Sequence, residues 1–241
     1  MRLMQAIEGI DDMVDPKIRA LVFAIHERPA FMDKKLRSIK KAGPARAGEP
    51  DFVWKGILRC FATWGGVPKG LDFDSRYKQV KYADLIELPR REQKRRLKGA
   101  FWDKWGRLQN DKLKYALNNL TKIYKLGGST SASRQALKCK GPEAKIAFMK
   151  KFDGVGDKYA RNIWMDVYHP DFRDSIAVDQ RLKIVLEALG RNTEKGTSKA
   201  YKEHETFFRD IAKRSGVSAW ELDRLLFNFT PFFIWAIEAT D

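Results

Sequence analysis

Met149-Lys150-Lys151-Phe152-Asp153-Gly154-Val155-Gly156-Asp157-Lys158-Tyr159-Ala160-Arg161-Asn162-Ile163 reads as a helix, a tight turn and a second helix. Glycines at 154 and 156 let the backbone turn sharply and remove side chains that would hold a ligand away. The free N–H groups of such a turn, with the positive end of the following helix behind them, form a site suited to a phosphate. Phe152, Val155, Ala160 and Ile163 are spaced to hold the two helices together, and the small Ala160 permits a close crossing. A lone Gly-x-Gly is weak. This one has apolar residues at every spacing that a helix–hairpin–helix needs.

The sequence on either side is also helical. Asp15-Pro16 supplies an N-cap and a first-turn proline, followed by an apolar face of Ile18, Leu21, Val22, Ala24 and Ile25. Pro50 opens a second helix with Val53, Ile57, Leu58, Phe61 and Ala62 at helical spacing, stopped by Gly65-Gly66. Residues 111–126 form a clear amphipathic helix, and further helices are expected over 131–139, 142–152, 157–167, 179–189, 198–213, 218–229 and 231–238. No alternation suggests a sheet, so the expected class is all-α. The loops around Arg28-Pro29 and Lys41–Pro50 read as connectors. Region 66–106 resists division. It carries the basic run Arg90, Arg91, Lys94, Arg95, Arg96 and Lys98, which suits either a solvated face or phosphate contact.

The charge balance narrows the partners. Among 241 residues, 47 Lys+Arg stand against 31 Asp+Glu, a formal net charge of +16. That field attracts polyanions, and nucleic acid is the commonest of them inside a cell. No stretch approaches the roughly 20 apolar residues of a membrane span, and Glu8 comes too early for a signal peptide. Two cysteines and three histidines exclude a disulfide framework and supply a metal site poorly. The expectation is a soluble protein of the cytoplasm (with the nucleoid in a bacterium) or of the nucleus, holding no metal.

Phe152-Asp153-Gly154-Val155-Gly156-Asp157-Lys158-Tyr159-Ala160 resembles the helix–hairpin–helix of the DNA glycosylase superfamily, whose usual form is Leu-Pro-Gly-Val-Gly-x-Lys-x-Ala. That family has an Ala-Val-Asp or Pro-Val-Asp element about twenty residues later; here it is Ala177-Val178-Asp179, with Arg181 following. The order and spacing are similar to the branch that contains endonuclease III and the 8-oxoguanine glycosylases. Weaker likenesses lie at residues 57–63 and 221–227. The resemblance covers about residues 50–230 and is specific over 149–181.

The resemblance implies two helical lobes with a DNA-binding cleft and the hairpin on its rim. A central bundle would span 51–151, and a discontinuous second domain would join 1–50 to 152–241. The implied partner is double-stranded DNA containing a damaged base, bound by a monomer. The implied activity is base-excision repair: a damaged, oxidised base is rotated out of the duplex and cut from its sugar. Lys158 matches the amine that attacks C1′ and forms a Schiff base, after which β-elimination nicks the strand. A first helical turn, near its positive end and partly desolvated, is a setting that favours a nucleophilic amine. Asp179 matches the carboxylate that supports the cationic sugar. Gly154, Val155, Gly156 and Arg181 would meet the DNA backbone. The four cysteines of an iron–sulfur cluster are absent, so no such cofactor is expected, though the hairpin allows a monovalent cation.

Three features depart from the pattern. Asp153 replaces the usual proline. Asp157 brings a carboxylate beside the turn, where it satisfies a helix N-terminus better than it serves a phosphate. Phe61 stands where related enzymes place a polar side chain to fill the vacated base space, although periodicity reads it as core. Trp64, Trp102, Trp105, Tyr168 and His169 are candidate pocket or wedge residues, each equally explained by packing. Two other readings stand beside a glycosylase with lyase action. One is a non-catalytic helix–hairpin–helix DNA-binding protein. The other is a glycosylase in which Asp179 activates water and Lys158 is a spectator.

Overall fold

The structure is a computed structural model that describes residues 15–64, 70–106, 108–193 and 198–240. The expected Gly65-Gly66 stop lies outside them. In chain order the helices are α1 (Pro16–His26), α2 (Ala30–Ala47), α3 (Phe52–Thr63), α4 (Phe73–Tyr77), α5 (Tyr82–Ile86), α6 (Arg90–Trp105), α7 (Gln109–Lys125), α8 (Ser129–Lys138), α9 (Gly141–Met149), α10 (Asp157–Met165), α11 (Gln180–Ala188), α12 (Ser198–Arg214) and α13 (Ala219–Glu238). A single 3₁₀ turn, Pro170–Phe172, follows α10, and no strand occurs among the described residues. The protein is all-α. No helix among these residues is long and apolar enough to cross a membrane.

The chain divides into two compact units, residues 40–172 and residues 1–39 with 173–241. The sequence-based division grouped 1–50 with 152–241, whereas these units place 40–50 and 152–172 with the central helices. The hairpin and α10 belong with α3, and packing is the reason. A Cβ on Gly56 of α3 would stand 3.1 Å from Ile163 Cγ2, so the two helices approach with nothing between them but glycine. The rings of Phe52 and Trp164 lie 5.0 Å apart beside that contact. In the 40–172 unit α3 is the centre, with Phe52, Val53, Trp54, Ile57, Leu58, Cys60, Phe61 and Ala62 all buried. Around it α6, α7, α8 and α10 bury their own apolar stripes.

Lys41–Pro50 is not the connector that its Gly and Pro composition suggested, because α2 continues to Ala47 with Pro44 inside it. Proline in a helix interior forfeits one hydrogen bond, a cost of about 3 kcal/mol, so something must hold this turn. A Cβ at Gly43 would stand 2.4 Å from the Val167 carbonyl oxygen, and Arg46 Nη2 donates to the Asp166 carbonyl at 3.0 Å. Contacts 120 residues away override the local signal. Region 66–106, unread from sequence, holds α4, α5 and α6.

In the other unit, α13 begins with a reciprocal capping box between Ser218 and Glu221. It then runs through a kink at Phe229, whose φ of −130° and ψ of 28° are not helical, with Pro231 two residues on. The sequence placed a helix break at that point. The backbone leaves helical geometry there, as that break requires.

Candidate active site

The hairpin between α9 and α10 is built on its own sequence and anchored on α7. Phe152 and Val155 are buried, and the Val155 N–H closes the turn on the Phe152 carbonyl at 3.1 Å. Gly154 takes φ +76°, where side chains are strained, and a Cβ there would collide with Phe61 Cε1 at 2.8 Å and Tyr115 Cδ2 at 2.9 Å. Both its conformation and its surroundings demand glycine. Gly156 differs, since a Cβ there would meet nothing within 4 Å and its φ is −84°. The protein itself does not require glycine at 156. The space it leaves is open to a ligand.

Asp153 explains the missing proline. Buried Asn119 brackets its backbone, accepting its N–H at 2.8 Å and donating Nδ2 to its carbonyl at 3.0 Å. Its side chain accepts from Asn118 Nδ2 at 3.0 Å and pairs with the Lys122 ammonium. That ammonium holds the Asp153 carboxyl below the usual carboxylate range. A proline would stiffen the position through its fixed φ. Here three side chains of α7 do so by hydrogen bonds.

Helix α10 starts at Asp157 with Gly156 as its N-cap and no side chain capping it, whereas Asp179 caps α11 and Ser218 caps α13. An uncapped N-terminus behind an open glycine leaves donors for an anion. Asp157, exposed on the first turn, pairs with Lys150 at 2.7 Å, a cation that offsets its charge. Lys158 follows, half-buried, with Nζ 5.2 Å from the centroid of the Tyr159 ring. Beside the hairpin lies an open groove of about 550 Å³, lined by Trp64, Tyr159, Lys150 and residues 152–156. Its aromatic wall is layered, with the Trp64 and Tyr115 rings 6.4 Å apart and 9° from parallel.

A second lysine borders this wall and deserves comparison with Lys158. Lys112 is 1% exposed, and burial pushes its ammonium down to about 8. It donates to the carbonyls of Trp64 at 2.8 Å and Trp105 at 2.6 Å. Those bonds tie the ends of α3 and α6 together and keep Nζ from any external carbon. Geometry therefore excludes Lys112 as a nucleophile even though its environment weakens its charge. Nothing in the local pattern marks it, since Lys112 reads as a polar position on an amphipathic helix.

The remaining expected residues lie in the other unit, at the start of α11. Asp179 is the N-cap, and both cap bonds fall on one oxygen: Oδ1 accepts from the N–H of Arg181 at 2.9 Å and of Leu182 at 3.1 Å. Among the described residues no hydrogen bond engages Oδ2, so capping leaves half the carboxylate for another role. The preceding strand of chain is tightly held. Buried Asp223 accepts the Ala177 N–H at 2.8 Å, and the Val178 N–H donates to the Tyr201 hydroxyl at 3.3 Å. Burial pushes the Asp223 carboxyl up, opposed by its contact with Arg224 at 2.7 Å.

Arg181, expected at the DNA backbone, is engaged within its own unit. Pro231 has no N–H, which deprives the Phe227 carbonyl four residues earlier of its helical donor. Arg181 Nη1 donates to that carbonyl, and the guanidinium lies 4.1 Å over the Phe227 ring. Arg181 stitches the kink of α13. Arg181→Met is therefore expected to lower unfolding stability by about 1–2 kcal/mol, from the orphaned carbonyl. Its salt dependence of DNA binding should match the parent chain. A fall of about one unit in that slope would instead return Arg181 to a phosphate.

The other candidates sort by burial. Phe61 and Trp105 are 0% and 1% exposed and belong to the core. The His169 ring packs on Trp164 at 5.1 Å, and its Nδ1 accepts the Asp171 N–H at 3.2 Å. Trp64 lines the groove and Trp102 is half-buried on α6.

Taken together, the described elements define an all-helical protein with a glycine hairpin presented on one compact unit and an acid-capped helix on the other. No protein-family model and no curated protein matches the sequence. Solved structures do match the fold. The 8-oxoguanine DNA glycosylase of Methanocaldococcus jannaschii aligns with a TM-score of 0.63 at 17% identity, over 89% of this chain and 92% of that one. The same enzyme, described as a glycosylase/lyase in complex with a 15mer DNA containing 8-oxoguanine, aligns with a TM-score of 0.61 at 17% identity, over 96% and 98%. The 8-oxoguanine DNA glycosylase of Thermotoga maritima aligns with a TM-score of 0.60 at 16% identity, over 87% and 93%. The chain shares their fold.

Proposed function

We propose that this protein is a DNA glycosylase that excises a damaged base and then nicks the strand through an associated lyase step. The observation that carries the reading is the uncapped, glycine-led start of α10, with Lys158 in its first turn. The hairpin grips the backbone of double-stranded DNA through its N–H groups, and the net charge of +16 assists encounter. The target nucleotide leaves the stack, since its glycosidic bond cannot be reached inside the duplex. The Lys158 amine attacks C1′, the C1′–N bond breaks, and the base departs. The nitrogen then gives its proton to O4′ as the C1′–O4′ bond opens, which leaves an imine between Lys158 and C1′; this acidifies the C2′ proton, whose loss expels the 3′ phosphate. The carboxylate's part, supporting positive charge on the sugar, is the one that the motif resemblance gives to Asp179, whose second oxygen is not used for capping. The likeness in fold to 8-oxoguanine glycosylases makes 8-oxoguanine the first substrate to try.

The test is a panel of duplexes, each with one modified base and 8-oxoguanine among them, scored separately for base release and for strand nicking. Release together with nicking is the expected result. Release without nicking would assign catalysis to Asp-activated water instead. Binding with neither would leave a helix–hairpin–helix DNA-binding protein.

A further inference from the structure

Helix α6 carries three cations and a tryptophan along one face. Arg91, Lys94, Lys98 and Trp102 recur at spacings of three and four and share one face. Arg91 and Lys94 are exposed, and Lys98 stands with Nζ 4.2 Å above the Trp102 ring. The carboxylates of α6 lie off this face. Glu92 pairs with Arg95 at 2.6 Å and Arg96 at 3.4 Å, and Asp103 pairs with Arg76 at 2.7 Å. Among the described residues no carboxylate pairs with Arg91, Lys94 or Lys98. Like charges one turn apart repel and weaken a helix. On α12, by contrast, Arg209 and Arg214 each have an acid four residues earlier. A solvated face needs only the α12 pattern.

The face is also joined to the hairpin. Arg90, at the start of α6, donates to the Leu117 carbonyl at 2.6 Å and to Asn118 Oδ1 at 3.4 Å. Asn118 in turn donates to Asp153 at 3.0 Å. From Arg91 to Lys98 the helix rises about 10 Å, the axial span of about three nucleotides of one strand. Gly99 beside the face has open space where a Cβ would be, so the helix backbone is uncovered there.

We propose that the Arg91–Lys94–Lys98–Trp102 face of α6 is a second DNA-backbone contact, which continues the hairpin's phosphate site along the flanking duplex. It rests on the DNA-binding part of the function proposed above. Three cations on phosphates add about 2.7 to the slope of log affinity against log salt. Arg91→Ala/Lys94→Ala/Lys98→Ala should therefore bind an undamaged 25-base-pair duplex at least about tenfold more weakly at 0.1 M salt, with a slope smaller by about 2 to 3. A control triple in the other unit, Lys34→Ala/Lys35→Ala/Arg37→Ala, removes the same net charge and should change both far less. Circular dichroism checks that each variant is folded. Equal losses in the two triples would overturn the proposal, because the net field alone would explain them. A parent chain that binds, a Gly156→Asp hairpin variant that does not, and an α6 triple that binds normally would overturn it while sparing the wider reading. Failure of the parent chain to bind any duplex would overturn both.

Discussion

Lys158→Gln is expected to abolish covalent trapping by borohydride on abasic-site duplex and to lower strand nicking by about 10³-fold or more. Glutamine keeps most of the length and the packing over Tyr159, so the helix start should survive and duplex affinity should stay within about threefold. The separation matters. A lysine that only neutralised a phosphate would, when lost, weaken binding and flatten the salt dependence, with catalysis falling in proportion. A nucleophile, when lost, stops chemistry in bound DNA. Single-turnover rates at saturating protein, measured beside equilibrium binding, distinguish the two. Undiminished trapping in Lys158→Gln would remove the nucleophile from this position. Lys112 is then a poor substitute, because its ammonium is spent on the carbonyls of Trp64 and Trp105 inside the core.

What could be read from the sequence was whatever eight or nine adjacent residues decide among themselves. The hairpin is such a feature: Gly154, Val155, Gly156 and the apolar residues around them fix the turn locally, and the structure has them in that form. Asp179 as an N-cap is another, decided by the next three residues. The misread features all depend on distant partners. Asp153 looked like a defect in the motif until Asn118, Asn119 and Lys122, more than thirty residues earlier, were seen to hold it. Arg181 was expected at the DNA backbone, and its bond to a carbonyl 46 residues on could not be read from its neighbours. Lys41–Pro50 looked like a connector because the Val167 backbone that clasps Gly43 cannot be inferred from local periodicity. Helix α6 was obscured for a different reason. Its buried side is small, built on Gln93, Leu97, Ala100, Phe101 and Trp105, and its charged side dominates any pattern.

The two hairpin glycines should fail in different ways when each becomes alanine. Gly154→Ala places a Cβ on a residue at φ +76°, between Phe61 and Tyr115 at 2.8 and 2.9 Å. Left-handed backbone costs an L-residue about 1–2 kcal/mol, and forcing a methyl group into a packed core adds about 1–3 kcal/mol. A loss of about 2–5 kcal/mol in unfolding free energy is expected, with DNA binding reduced because the turn is displaced. Gly156→Ala meets neither obstacle, since its φ is −84° and the space around it is open. Its stability should change by less than about 0.5 kcal/mol. Its affinity for duplex should still fall by about tenfold, because the added methyl would stand where a phosphate must reach the first N–H groups of α10. Denaturant unfolding and DNA titration on the same two variants supply both measurements. Equal affinity in Gly156→Ala and the parent chain would mean that no ligand approaches this turn closely, and the anion site at the head of α10 would have to be given up.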